Sequence, residues 1–406
     1  MKTTMKKEKF DYELFEKQAL ECLKKGVPLE GKNGILAPLL KRLLETSLEG
    51  ELEAHLKQET HSNRRNGKNS KKVRTSYGPI DVSTPRDRNS TFAPQILPKR
   101  QTTFGDSLDH KIISLYAKGM SYEAISEHLE EMYGLEASPA TLSSVTDRII
   151  QEVQQWQQRT LEEIYPIVWL DAIHYKVKEE NSIKTKAVYC IIGVNSDGMK
   201  EILGMYIGES EGAKFWLHVL SDLRDRGVKD ILIACIDNLK GFSEAIESIY
   251  TNTDVQLCIV HQVRNSLRYV PYTDSKAIIK DMKSIYQAPT KEQGDRALEI
   301  FGDKWQKKYP RVVDSWRNNW DRLSNFYKYP KEVRKMIYTT NIIEGFHSQL
   351  RKITKTKRVF SSDMSLLKLL YLVQNEISSK KWNTPVFGWR VIKSQLMIIF
   401  EDRFKN

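Results

Sequence analysis

Cysteine is scarce in this chain, with four among 406 residues. Cys22, Cys190, Cys235 and Cys258 are far apart, so no disulfide framework is expected and reduced thiols in a cytosol are the simpler reading. Long apolar runs are missing as well. None approaches the ~20 residues that a membrane span needs. The opening segment MKTTMKKEKFDYELFEKQ has no apolar core after its lysines, so no secretory leader is expected there. Internal repeats and low-complexity tracts are absent. Acidic residues fall short of basic ones, 52 against 64, which leaves a formal net charge of +12. That imbalance favours a polyanionic partner, nucleic acid first and an anionic membrane surface second. A hydrophobic content of 40% and recurring apolar runs exclude wholesale disorder. The length allows two or three domains with sizeable cores.

The N-terminal 60 residues read as helical. Residues 11–25 form a short helix stopped by Gly26 and Pro28. Residues 35–58 carry Leu36, Leu39, Leu40, Leu43, Leu44 and Leu48 at helical spacing. That leucine face is expected to pack within its domain, with a second subunit as the other candidate.

Composition changes at residue 61. Over 61–105 there are ten Lys or Arg against two Asp or Glu. Residues 73–83 suggest a small hairpin turning at Tyr77-Gly78-Pro79. A solvated linker is the plain alternative, but so large a share of the charge in so short a stretch favours a phosphate-contacting arm. Its candidate DNA contacts are Arg64, Arg65, Lys71, Lys72 and Arg74, then Arg86, Arg88, Lys99 and Arg100.

Residues 106–160 hold three short helical patterns and a longer continuation. Ser138-Pro139 is a strong helix start, a capping hydroxyl followed by proline at the first helical position. The third pattern turns Leu142, Val145 and Ile149 inward and Thr141, Ser144 and Arg148 outward. Three short helices with a tight turn before the last fit a helix-turn-helix. A plain helical bundle competes with that reading, and the basic arm just upstream favours DNA. The main boundary is placed where Tyr165-Pro166 closes the continuing helix.

From residue 167 the rhythm becomes that of strands. Strands are expected at 167–177, 184–196, 200–210, 229–237 and 255–260, with helices at 212–227, 241–250 and from 262. The order β-β-β-α-β-α-β-α gives an α/β fold with a mixed sheet in the ribonuclease H-like arrangement. Helix returns over 262–338, so an all-α insertion at 271–338 would split the catalytic domain into 162–270 and 339–406.

Asp171 lies in the apolar strand IVWLDAIHYKV, where an ionised carboxylate is costly unless paired or bound to a cation. Asp237 ends the run ILIACID, and carboxylates at strand C-termini often mark sites in such sheets. If the first and fourth strands are neighbours, the two stand side by side. Two such carboxylates repel, and a divalent cation relieves them. Mg²⁺ suits oxygen donors, and two ions about 3.5–4 Å apart can clamp a phosphodiester; Mn²⁺ is the natural substitute. Glu344 is the best-placed third carboxylate, although Asn341-Ile-Ile-Glu344 also fits a capping box. His347 and Arg351 follow on its helix and could face the same DNA. Cys258-Ile-Val-His261 is half of a zinc site with no second half nearby, so a closed structural zinc is not expected. A buried cysteine beside a strand-ending histidine is the simplest alternative; the functional one puts His261 beside Asp237. Arg351, Lys352, Lys355, Lys357 and Arg358 form a basic run that would line the DNA path.

Taken together, YGPIDVSTPRDR, PQILPKRQ, ISLYAKGMS, WQQRTLEEIYPIVWLDAIHYKV, IDNLKGF, VQLCIVHQVRNSLRYV and TTNIIEGFHSQLRK resemble the IS256 family of bacterial insertion-sequence transposases, related to the Mutator group. The resemblance covers almost the whole chain. It implies a DDE active site at Asp171, Asp237 and Glu344, a C/D(2)H motif at Cys258 and His261, and a helical insertion between the second Asp and the Glu. One departure is Asn238 after Asp237, where glycine is common. The family implies binding of terminal inverted repeats and target DNA, 3′-end cleavage and strand transfer. A homodimer or higher oligomer on DNA, a bacterial cytoplasmic location near the nucleoid, and no membrane partner are expected. A structure-specific nuclease and a non-cutting, domesticated repeat-binding regulator are the alternatives.

Overall fold

Two compact units make up the chain, Met1–Arg148 and Ile149–Asn406. The structure is a computed structural model and describes residues 12–29, 34–58, 63–75, 77–99, 106–133, 136–209, 212–338 and 341–405.

In the first unit α1 (Tyr12–Lys24) and α2 (Leu36–Gln58) precede a hairpin of β1 (Arg65–Thr75) and β2 (Gly78–Asp87). Leu44, Leu48 and Leu52 fall at i, i+4 and i+8 on α2 and are buried. Leu44 and Leu48 pack with Val73, Ile80, Val82 and Leu97, so the leucine face is covered within its own unit by the hairpin. The hairpin is much longer than the 73–83 segment that its sequence suggests. The start of β1, Arg-Asn-Gly-Lys-Asn-Ser, has no apolar alternation to announce a strand, and only its end contributes Val73 to the core. The basic segment is thus a folded ribbon seated on α2. Three helices follow, α3 (Asp106–Ala117), α4 (Tyr122–Tyr133) and α5 (Pro139–Asp147), around buried Ile112, Tyr116, Ile125, Leu129, Leu142 and Val145. The Ser138 side chain accepts the Thr141 N–H at 3.2 Å, with Pro139 in the first turn.

The second unit starts at α6 (Ile149–Gln158), a separate helix and not a continuation of α5. β3 (Ile164–Glu179), β4 (Ser182–Val194) and β5 (Lys200–Gly208) are antiparallel neighbours. α7 (Ala213–Asp225) leads to β6 (Asp230–Ile236), and α8 (Phe242–Ile249) to β7 (Asp254–Leu257). β6 runs parallel to both β3 and β7. The sheet is therefore mixed, ordered β5-β4-β3-β6-β7, with β3 at its centre. Tyr165-Pro166 lies inside β3 and does not precede it: β3 begins by pairing with β6 alone, and its antiparallel ladder to β4 opens at Ile167. From Tyr165 to Leu170 every side chain of β3 is buried, as a central strand covered on both faces requires.

β7 stops at Leu257, three residues before the expected end. Ile259 and Val260 already belong to α9 (Ile259–Leu267), because Cys258 caps that helix. A helical block follows: α10 (Tyr272–Tyr286), α11 (Lys291–Trp305), α12 (Pro310–Asn318), α13 (Trp320–Leu323), a 3₁₀ turn at Ser324–Lys328 and α14 (Lys331–Ile337). Its three tryptophans are largely buried, and each indole N–H has a partner: Trp305 on Asp281, Trp316 on Ser266 and Trp320 on Asp295. α15 (Asn341–Thr354) returns to the sheet and packs on β3, and α16 (Asp363–Lys381) and α17 (Trp389–Phe400) close the unit. Among the described residues no helix is long and apolar enough to cross a membrane.

Candidate active site

The register of two parallel strands sets the site. The last β3–β6 pair is Leu170 with Ile236. Asp171 is the next residue on β3 and Asp237 the first residue past β6, so two carboxyl groups far apart in sequence stand at one level of the sheet. Asp171 still sits in the β3–β4 ladder opposite Cys190, and its Oδ1 accepts the Ala172 N–H at 2.9 Å. Asp237 lies just past β6, where its Oδ1 accepts the Leu239 N–H at 3.3 Å. Burial raises the Asp237 pKa; the neighbouring His261 and the Leu239 hydrogen bond oppose this without cancelling it.

α15 brings the third carboxylate. Ile343, Phe346, His347 and Leu350 form its buried face, which anchors it over β3 and leaves Glu344 on its first turn at the edge of the site. Glu344 Oε1 reaches across to α9, where Arg264 donates to it at 2.9 Å and His261 Nε2 lies 3.6 Å away. The carboxylate thus serves a contact between helices. His347 Nδ1 lies 3.5 Å from Asp171 Oδ2. His347 is 4% exposed, which corrects the expectation that it faces DNA. Burial, with the Arg351 charge adding to it, lowers its pKa to about 3, so the ring is neutral at physiological pH.

α9 is held by an uncommon cap. Cys258 Sγ accepts the His261 N–H at 3.3 Å and is buried. The CxxH spacing is that of an N-cap and its third helical residue. Cys258 therefore sets where α9 starts and where His261 stands. Burial lowers the His261 pKa, Asp237 and Glu344 oppose this, and Arg264 reinforces it. Arg264 is the residue that sequence reasoning missed; it lies three positions after His261 on one helix, the spacing that puts two side chains on one face.

Asp171, Asp237, His261, Glu344 and His347 are thus linked in one neighbourhood by the β3–β6 register and the α9–α15 contacts. Among the described residues no three His, Cys, Asp or Glu side chains stand at metal-holding spacing.

The basic candidates are dispersed. Arg65 ion-pairs with Glu49 at 3.3 Å, Lys71 donates to the Pro98 carbonyl and Lys99 to that of Ser90. Arg86 reaches Asn69, while Arg64, Lys72 and Arg88 are exposed. A cavity of about 520 Å³ opens among Lys71, Arg86 and Lys99. Arg100 lies outside the described residues, as does the side chain of Arg74. On α5, Thr141 is engaged with its cap Ser138, Ser144 is exposed and Arg148 ion-pairs with Asp109. Arg351, Lys352, Lys355 and Arg358 are exposed, and Lys357 sits 5.6 Å from the Phe360 ring centre.

A family model described as "Transposase, Mutator family" matches residues 11–384. The chain belongs to the Mutator family of transposases. It is 44% identical over 399 residues to a probable transposase for insertion sequence element ISRM3-like from Sinorhizobium fredii, covering 96% of this chain and 99% of that one. The transposase for ISRM3 from Rhizobium meliloti matches with the same identity and coverage. The transposase of IS256 in transposon Tn4001 from Staphylococcus aureus is 27% identical over 343 residues, 83% of this transposase and 87% of that one. The resemblance read from the motifs and the family shown by these matches agree.

Proposed function

We propose that this transposase binds the terminal inverted repeats of its insertion sequence and moves the element by phosphoryl transfer, with Asp171, Asp237 and Glu344 as the acting carboxylates of a ribonuclease H-like domain. The observation that carries the reading is the parallel β3–β6 register, which ends one residue before both aspartates. The strand order, with three antiparallel strands followed by two parallel ones, is in keeping with that fold.

The donor chemistry fits a hard divalent cation such as Mg²⁺. Asp237 is a half-buried carboxyl whose pKa desolvation raises, and a cation beside it would relieve that cost, which supports the reading. Asp171 stands on β3 at the same level. Glu344 is committed to Arg264, so it joins them only after that contact opens. When bound, the cation supplies charge neutralisation and polarises a phosphodiester oxygen.

The chain's own residues provide the rest. The β3–β6 register brings the two aspartates to one level, the neutral His347 packs against Asp171, and α9 presents His261 and Arg264 toward the edge where Glu344 stands. The reaction is an in-line displacement at phosphorus: water attacks the phosphodiester at the element's end and the 3′-oxygen leaves as a free 3′-OH, which then attacks a second phosphodiester and displaces that strand's 3′-oxygen as its leaving hydroxyl. Two ends joined in one event call for a dimer or higher oligomer. Labelled terminal-repeat DNA incubated with the full chain, Mg²⁺ and a target duplex tests this. Joined products support it. Hydrolysis without joining would point to a nuclease, and binding alone to a regulator.

A further inference from the structure

Beyond the carboxylates, α9 leads to a second polar site. Its last turn and the first turns of α12 enclose a cavity of about 320 Å³ lined by Asn265, Arg268, Tyr269, Arg311 and Ser315, with Val312 behind them. The two helices are locked together beneath it. Gln262 Nε2 donates to Ser315 Oγ and Trp316 Nε1 to Ser266 Oγ, each at 3.0 Å, and Gln262, Ser266 and Trp316 are all buried. This buried polar ladder makes the cavity preorganised.

What projects into the cavity is cationic and aromatic. Arg268 and Arg311 are exposed, and neither guanidinium has an ion-pair or hydrogen-bond partner among the described residues. Three other arginines of the helical block are engaged: Arg317 with Glu299, Arg322 with Glu244 and Glu247, and Arg334 with main-chain carbonyls. Arg311 lies 5.9 Å from the centre of the Tyr269 ring, and Tyr269 is 55% exposed. Two guanidiniums without an ion-pair partner, one of them over a face of the Tyr269 ring, and the exposed remainder of that ring match a nucleotide in one concave site, whose phosphate takes the charge and whose base stacks on the ring.

We propose that this cavity is a DNA subsite that holds one backbone phosphate between Arg268 and Arg311 and an adjoining unpaired base on Tyr269. Position along α9 argues for DNA over a free anion. His261 opens the helix at the carboxylates and Arg268 ends it, a rise of about 10 Å. DNA advances 3.4 Å per nucleotide along its axis, so the subsite lies about three nucleotides from the scissile phosphate. The placement rests on the proposed role of the carboxylates; the binding itself does not.

The test uses the full chain and labelled terminal-repeat DNA with its flank, titrated across salt, for wild type, the double variant Arg268→Gln/Arg311→Gln, its Lys/Lys counterpart, and Tyr269→Ala. The Gln/Gln variant should lower the slope of log K against log salt by about one unit, and Lys/Lys should restore it. Tyr269→Ala should leave the slope alone and weaken binding to a flank with unpaired bases more than to a duplex flank. Footprinting should show protection lost about three nucleotides from the cut. An unchanged slope and footprint in Gln/Gln overturns the subsite. So does wild-type binding competed by millimolar inorganic phosphate with no effect of the variants on DNA, which would mark a free-anion site. Asp171→Asn in the same titration separates the two proposals: if it cleaves normally, the carboxylate assignment fails while the subsite stands or falls on its slopes.

Discussion

Replacing Cys258 with alanine removes the acceptor that starts α9. The lost contact is the Sγ to His261 N–H bond of 3.3 Å. Side-chain caps contribute about 0.5–2 kcal/mol, and sulfur is a weak acceptor, so the low end applies. The thiol is also buried, 2% exposed, and deleting it forfeits about 1 kcal/mol of transfer energy. The total is about 1–2 kcal/mol, read as a drop in urea midpoint or of a few degrees in Tm. Serine keeps an acceptor in nearly the same volume, so Cys258→Ser should stay within about 1 kcal/mol of wild type and above the alanine variant. Fraying of the first turn also moves His261 and Arg264, so Cys258→Ala should slow DNA cleavage about ten- to a hundredfold while Cys258→Ser stays near wild type. A serine variant as damaged as the alanine one, in stability and in cleavage, would refute the cap and show that the thiol acts as a thiol.

Three further outcomes follow from the packing. Burial pushes the Asp87 pKa up, but hydrogen bonds from Asn63, Thr91 and Phe92 outweigh it and hold the carboxyl well below the usual range. Its stabilisation is therefore full above pH ~4 and fades as pH falls through the depressed value, so Asp87→Ala should cost about 2–3 kcal/mol at pH 7, with a gap from wild type that narrows in acid denaturation. Leu48, fully buried between α2 and the hairpin, should cost about 2–5 kcal/mol as alanine in urea unfolding of the full chain. Arg264→Gln should cost under about 1 kcal/mol, since the Arg264 side chain is 55% exposed in its pair with Glu344. It should also lower the Mg²⁺ concentration for half-maximal cleavage by releasing Glu344, and a rise would show that Arg264 serves the DNA instead.

The mixed sheet is legible because its strands are continuous apolar runs with turn residues between them, the pattern of a sheet covered on both faces. β1 is not, because Arg65–Ser70 are all exposed and none is apolar, so no alternation marks a strand there. The start of α9 is hidden for another reason: cysteine is seldom read as a cap, so CIVH looks like strand followed by half a metal site. The burial of His347 was available in the sequence. It falls four residues after Ile343 and three before Leu350, on the face that packs against β3. Arg264 carried no composition signal at all, and only the meeting of α9 with α15 gives it a partner. Local patterns name the elements; contacts between elements distant in sequence decide what the polar side chains do.

The most direct measurement is single-turnover cleavage of labelled terminal-repeat DNA at saturating Mg²⁺ by wild type, Asp171→Asn, Asp237→Asn and Glu344→Gln, with DNA binding measured in parallel. The account predicts that wild type cuts and joins, and that each variant still binds the repeat but loses at least about a hundredfold in rate. Cleavage by Asp171→Asn or Asp237→Asn at the wild-type rate would contradict it.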